Sequence, residues 1–234
     1  MARACFVEAC REGVLEEVAR YITGPRKEAL GVDDDFKDLE TGEQPEELTQ
    51  GMCIVCRAGN VELLTFLLEH LDPSATHGRY KRSVLSVSIY GKETNMTQVV
   101  LDCGKDVGIG TTYGDVEMTL FYRACDIGNL DAIQALCAHP NVDINQRTTL
   151  HESPLAVAVH RGHEDVVRFL LEQPGIDTDL SHVPLRHALR FTGGHVNDNG
   201  WFTYPIRWLR SFVTEEDAAI IRCVNLVNAH QGDP

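Results

Sequence analysis

Ser153-Pro154-Leu155, then Ala158, then Gly162-His163-Glu164-Asp165-Val166-Val167-Arg168-Phe169-Leu170-Leu171, closing on Pro174-Gly175-Ile176-Asp177, is the stretch that decides the fold. It reads as a helix start, a small residue inside a first helix, a glycine turn, a second helix with an apolar stripe, and a connecting loop. The segment upstream follows the same plan: Thr119-Leu120-Phe121, Ala124, Gly128-Asn129-Leu130-Asp131-Ala132-Ile133, Leu136 and Pro140-Asn141-Val142-Asp143-Ile144-Asn145. Two tandem copies predict a repeat architecture, so the remaining chain is read by period rather than segment by segment.

With the turn as reference, the period extends to Gly13, Gly59, Lys92, Gly128, Gly162 and Thr192, at spacings of 46, 33, 36, 34 and 30 residues. Seven residues before each turn stands a large apolar group: Phe6, Met52, Leu85, Phe121, Leu155 and Leu185. Four before stands a small or short one: Ala9, Val55, Ser88, Ala124, Ala158 and Ala188. First helices packed between two neighbours need small side chains at the closest approach and large ones where the layers open. Leu63, Leu64, Leu67 and Leu68 in one unit, and Val166, Val167, Leu170 and Leu171 in another, supply the stripe of the second helix. A single unit cannot bury these faces, and stacking does.

These units resemble the ankyrin repeat, whose pattern is a Thr-Pro-Leu helix start, a small residue in the first helix, a turn glycine, a Val/Leu-Leu second helix and a Gly-Ala-Asp-Val-Asn-like hairpin. The resemblance implies an all-α fold: a solenoid of about six stacked helix-turn-helix units with short hairpin loops and a C-terminal helical cap, in a single domain of residues 1–234. The repeats fall roughly at 2–28, 49–80, 81–113, 114–147, 148–180 and 181–213, with an acidic insertion at 29–48 and a cap helix at 214–230. In the insertion Asp33, Asp34, Asp35, Asp38, Glu40, Glu43, Glu46 and Glu47 crowd around Lys37, which predicts a solvated, mobile loop. The sixth unit is interrupted by Gly193-Gly194 and Asn197-Asp198-Asn199-Gly200, after which Trp201, Phe202, Tyr204 and Trp208 gather both tryptophans of the chain. They read as a cap over the last repeat or as an aromatic ligand surface. Ile220, Cys223, Val224 and Val227 are expected on one face of the final helix.

Twenty-one basic and thirty-five acidic residues give a formal charge of −14, which argues against nucleic acid and anionic membrane as partners. No apolar run approaches the roughly 20 residues of a membrane helix, and the start of the chain lacks a signal-peptide pattern, so a cytoplasmic location, with the nucleus also open, is expected. The eight cysteines sit mostly inside helical apolar patterns and are expected as reduced thiols. Cys53-x-x-Cys56 has metal-ligand or redox spacing, but Cys10, Cys56 and Cys125 share one column three residues before the turn, which points to core packing. No HExxH, GxSxG, P-loop or GxGxxG is present among the ten histidines and nineteen glycines. No cofactor, metal site or catalytic residue is therefore expected. His70, His77, His139 and His182 are expected to be exposed or capping.

The resemblance implies binding through a concave groove and hairpin tips. The column two residues before the turn would face that groove: Arg11, Arg57, Tyr90, Asp126, His160 and Arg190. Neighbouring positions add Tyr122 and Arg161, and the tips would offer Tyr113, Asp115, Glu117, Thr148, His151 and Glu152. Arg123 stands where other units hold Ile54, Val87 and Val157, and Asp126, at i+3, is its expected partner. Arg, Tyr and His are hot-spot types, so the expected function is a non-catalytic protein–protein interaction module whose partner carries an acidic segment. The alternative is a small-molecule binder or atypical enzyme that uses Asp126, His160 and Arg123 with the Trp201/Trp208 cluster.

Overall fold

The computed structural model describes residues 1–78, 82–91, 96–113, 116–180 and 215–232. Among these are eleven α-helices, one 3-10 turn and two strands of two residues each, so the fold is all-α as expected. The chain divides into two compact units: residues 1–115 with 134–142, and residues 116–133 with 143–234.

The first unit holds α1 (Ala2–Glu12), α2 (Leu15–Ile22), α3 (Glu46–Ala58), α4 (Val61–His70), α5 (Val84–Ser88) and α6 (Met96–Leu101). Its first helices stack α1 on α3 on α5, and its second helices α2 on α4 on α6. The two expected columns lie in this core: Phe6, Met52 and Leu85 are buried, as are Ala9, Val55 and Ser88. Each large side chain taken out of water contributes about 1.5–3 kcal/mol, which is what a stack gains over an isolated helix pair. The closest approach is at Gly51, where a β-carbon would lie 2.5 Å from a ring carbon of Phe6 and 2.9 Å from the Cys10 sulfur. α1 and α3 can meet there only because that side chain is a hydrogen.

Turns and caps follow local chemistry. Gly13 and Gly59 end α1 and α3 at φ 73° and 75°, the left-handed conformation that a helix C-terminus favours. Asn60 caps α4 by accepting from Leu63 N at 3.0 Å, and its amide nitrogen donates to Gly13 O at 3.3 Å, joining one turn to the previous one. Ser83 caps α5 in the same way, accepting from Ser86 N. The turn expected at Lys92 lies outside the described residues.

The acidic insertion differs from the mobile loop that its composition predicts. A 3-10 turn (Glu28–Leu30) opens it, Leu30 and Phe36 are buried, and Val32 pairs with Asp38 in an antiparallel bridge. Arg3 holds it from α1: Nε donates to Leu30 O at 2.8 Å and the guanidinium forms an ion pair with Asp38. Asp33 and Asp38 spend their carboxylates on local backbone amides, of Asp35 and Lys37 in one case and of Glu40 and Thr41 in the other. Lys27 stands 4.6 Å over the Phe36 ring. Asp33 and Asp38 are thus turn formers on an anchored loop, and Glu46 and Glu47 already belong to α3.

The second unit holds α7 (Leu120–Ile127), α9 (Pro154–Arg161), α10 (Glu164–Leu171) and the last helix, α11 (Glu215–Gly232); α8 (Leu130–Cys137) begins in it. α7 lies on α9, and α11 lies against both α9 and α10. Phe121 and Leu155, and Ala124 and Ala158, hold the same two repeat positions and are buried within this unit. Pro154 sits in the first turn of α9 behind Ser153, which accepts from Ala156 N at 3.1 Å. Cys223, Val224 and Val227 of α11 are buried and Ile220 is half-buried, and Arg222 reaches Glu164 of α10 at 2.8 Å. The interrupted sixth unit with Trp201 and Trp208 lies outside the described residues.

Candidate partner-binding surface

Asp126 is the centre of the polar surface of the second unit. It stands near the end of α7, two residues before Gly128, which closes the helix at φ 78°. Its side chain is only 9% exposed, and both oxygens are used: Arg123 Nη1 donates to Oδ2 at 2.5 Å and Arg161 Nε, from the end of α9, donates to Oδ1 at 2.6 Å. The Arg123 pair is the expected i+3 contact. The Arg161 pair spans one repeat, so both oxygens of Asp126 are engaged by arginines of the protein itself.

Below this pair, His163 fixes the register. Its Nε2 lies 3.1 Å from Asp126 O, so Nε2 carries the proton and donates, because a carbonyl can only accept. The imidazole fills the space beside Gly128, where a β-carbon would come within 2.6 Å of ring atoms. His163 thus has a structural role, holding the turn at Gly128 against the next repeat.

Tyr122 was expected on the open groove, and here the structure corrects the sequence. The ring is buried and the hydroxyl donates to Glu152 Oε2 at 2.7 Å. Burial, and then the neighbouring Glu152 carboxylate, push the phenol well above its usual range. Thr148, expected at a hairpin tip, is likewise buried, and its hydroxyl has no hydrogen-bond partner among the described residues.

The hairpin between α8 and α9 is laced to the loop that follows α10. Arg147 Nη2 reaches Asp177 at 2.6 Å and Asp179 at 3.1 Å, while its Nη1 donates to His151 O. Asn145 donates to Gly175 O and accepts from Asp177 N, both at 2.8 Å. The Arg147 guanidinium holds the Asp177 carboxyl below its usual range. Spacings of 30 and 32 residues between opposite charges were the available signal, and a motif search does not look for them. At the apices, Glu117 and His151 take φ 50° and 62°, the left-handed region that favours glycine, and Leu150 is 63% exposed.

In the first unit Arg11 is exposed and paired with Glu8 at 2.5 Å, Arg57 is exposed, and Tyr90 is 55% exposed. Glu8 and Arg11 occupy the same repeat positions as Arg123 and Asp126 with the charges exchanged, an echo that sequence reasoning missed by not placing Glu8 in its column. His160 is half-buried and Arg161 is 55% exposed. Arg190 and Asp115 lie outside the described residues, as does the side chain of Tyr113. Among the remaining histidines, His70 Nδ1 lies 2.9 Å from Phe66 O, Asn141 N donates to His139 Nδ1, and His77 buries an Nε2 that has no partner among the described residues, where an exposed or capping role was expected. Cys10, Cys53, Cys56 and Cys125 are core side chains. Among the described residues no three His, Cys, Asp or Glu side chains gather as a metal site, and no helix is long and apolar enough to cross a membrane.

A family model for ankyrin repeats, in three copies, matches residues 85–182. Residues 85–182 are ankyrin repeats. The Asp126–Arg161 pair and the laced hairpin both lie inside the matched repeats. A comparison with curated proteins finds 26% identity over 129 residues with the "Probable 26S proteasome regulatory subunit p28" of Saccharomyces cerevisiae, covering 54% of this chain. The match takes in 55% of that relative, so the chain spans about half its length. Ankyrin repeats and this relative point together to protein interaction in general.

Proposed function

We propose that this protein is a non-catalytic interaction module, an adaptor that holds a partner protein in the ankyrin groove and at the hairpin apices. Within the second unit the binding surface consists of Arg123, His151, His160 and Arg161 over Asp126; within the first it consists of Arg11, Arg57 and Tyr90, and Arg190 belongs to the same sequence column. The observation that supports this most is the exposed guanidinium of Arg161, fixed by a nearly buried Asp126 at the end of α9. Ordered Arg side chains beside aromatic and histidine neighbours are what binding hot spots are made of. Tyr122 contributes from beneath, by holding Glu152 in place.

The partner is a protein with acidic character, met in the cytoplasm or the nucleus. The description of the yeast relative gives the first class of partner to look for, subunits of the proteasome regulatory assembly. Affinity capture from source-cell extract with the wild-type chain, beside Arg57→Glu and Arg161→Glu variants of native circular dichroism, tests the reading. A protein retained by wild type and lost by either variant supports an adaptor. Capture of no specific protein by any bait counts against it and favours a small-molecule ligand.

A further inference from the structure

The Arg161 guanidinium is bound at one edge only. Asp126 takes Nε, and among the described residues the terminal nitrogens Nη1 and Nη2 have no partner. The side chain is 55% exposed while the carboxylate that fixes it is 9% exposed, so Asp126 lies underneath and the end-on fork is the part left to solvent. A planar fork held in one orientation loses little rotamer freedom on meeting a carboxylate and binds it through two parallel hydrogen bonds.

Local charge decides what anion fits. Arg123 and Arg161 are balanced by Asp126 and Glu152, and Asp126, Glu152 and Arg161 are all close enough to act on the Tyr122 hydroxyl. On a chain of net charge −14, a phosphate dianion or a run of acidic residues adds repulsion that the one open fork does not offset. A single carboxylate adds little. On the same hairpin, two residues before Glu152, Leu150 exposes 63% of its surface, an apolar contact for a neighbouring residue of the same ligand.

We propose that Arg161 receives one Glu or Asp side chain of a partner segment, end-on through Nη1 and Nη2, with an apolar residue of that segment against Leu150. Asp126 is the positioning residue, acting through Arg161. This rests on the interaction-module reading and narrows it: the partner segment is singly acidic, not an acidic run.

The test is selection of random short peptides displayed on phage against the full chain, repeated with Arg161→Gln and with Arg161→Lys, which keeps the charge and loses the fork. The wild type is expected to enrich peptides with one acidic residue at a fixed spacing from an apolar one. Arg161→Gln should keep the apolar preference and lose the acidic one. For an enriched synthetic peptide, changing its acidic residue to the amide should weaken binding about tenfold on wild type, the usual worth of a charge-assisted pair, and hardly at all on Arg161→Gln. Arg161→Lys should fall between, and Asp126→Asn should weaken binding without changing the motif. An acidic preference unchanged in Arg161→Gln, a poly-acidic motif, or tighter binding when phosphoserine replaces the acidic residue overturns the proposal and leaves the adaptor reading standing. Failure to enrich any peptide overturns it as well, while the extract capture decides the adaptor reading separately.

Discussion

At the scale of single residues, two backbone positions and a group of thiols carry measurable consequences. Gly128 combines a positive φ with a β-carbon position 2.6 Å from the His163 ring. Gly128→Ala therefore adds a conformational cost to an overpacking cost, together about 3 kcal/mol, and displaces the ring that ties Asp126 O to the next repeat. Urea denaturation should show this loss, and Gly42→Ala, where nothing lies within 4 Å of the added carbon, should lose only the conformational part. Among the cysteines, burial raises Cys10, Cys53 and Cys56 to about 12, while Cys5 is exposed. Nucleophilic attack needs the thiolate and access to it, so iodoacetamide at neutral pH should alkylate Cys5 in the folded protein and reach Cys10, Cys53 and Cys56 only after denaturation. Peptide mass mapping gives the order, and early labelling of the Cys53/Cys56 pair would contradict its place in the core.

At the scale of elements, the insertion is the most informative because composition and structure disagree. Hydrogen bonding from Arg3, then from the Glu40 and Thr41 amides, lowers the Asp38 carboxyl from 3.8 to about 2. A depressed carboxyl contributes stability that is complete above its unfolded value and lost as pH falls through the folded one, so the anchorage should fade between about pH 4 and pH 2. Amide exchange at Phe36 and Asp38 should be slower in wild type than in Arg3→Ala at pH 5, and the difference should close across that window. The sequence could not show this loop as anchored. Its eight Asp and Glu residues mask Leu30 and Phe36, and the arginine that holds it stands 35 residues before Asp38 on another element. The helix pairs were legible because glycine turns and small-large columns repeat in register. Arg123–Asp126 was legible from i+3 spacing. Arg161–Asp126 required knowing which turn of α9 faces α7. Thr148 and Tyr122 were placed on the surface because a polar atom in a loop or groove column reads as exposed, whereas here the Tyr122 ring and the Thr148 side chain, hydroxyl included, are packed inward.

At the scale of the whole molecule, charge sets how any partner approaches. A chain of −14 repels an acidic ligand at long range even where one guanidinium attracts it at contact. Association of a singly acidic peptide should therefore speed up as salt is raised from low to physiological ionic strength, while a peptide with basic flanks should slow down. Stopped-flow rates at several salt concentrations check both signs. The two hairpin apices of the second unit add one more consequence. Glu117 and His151 stand 34 residues apart, each already in a backbone state that most proteins reserve for glycine. The fold has accepted that conformation with a side chain present, so these sites can trade one unbranched side chain for another without asking the backbone to move. Under the adaptor reading proposed above, specificity at the apices can therefore drift by point substitution while the scaffold beneath stays as it is.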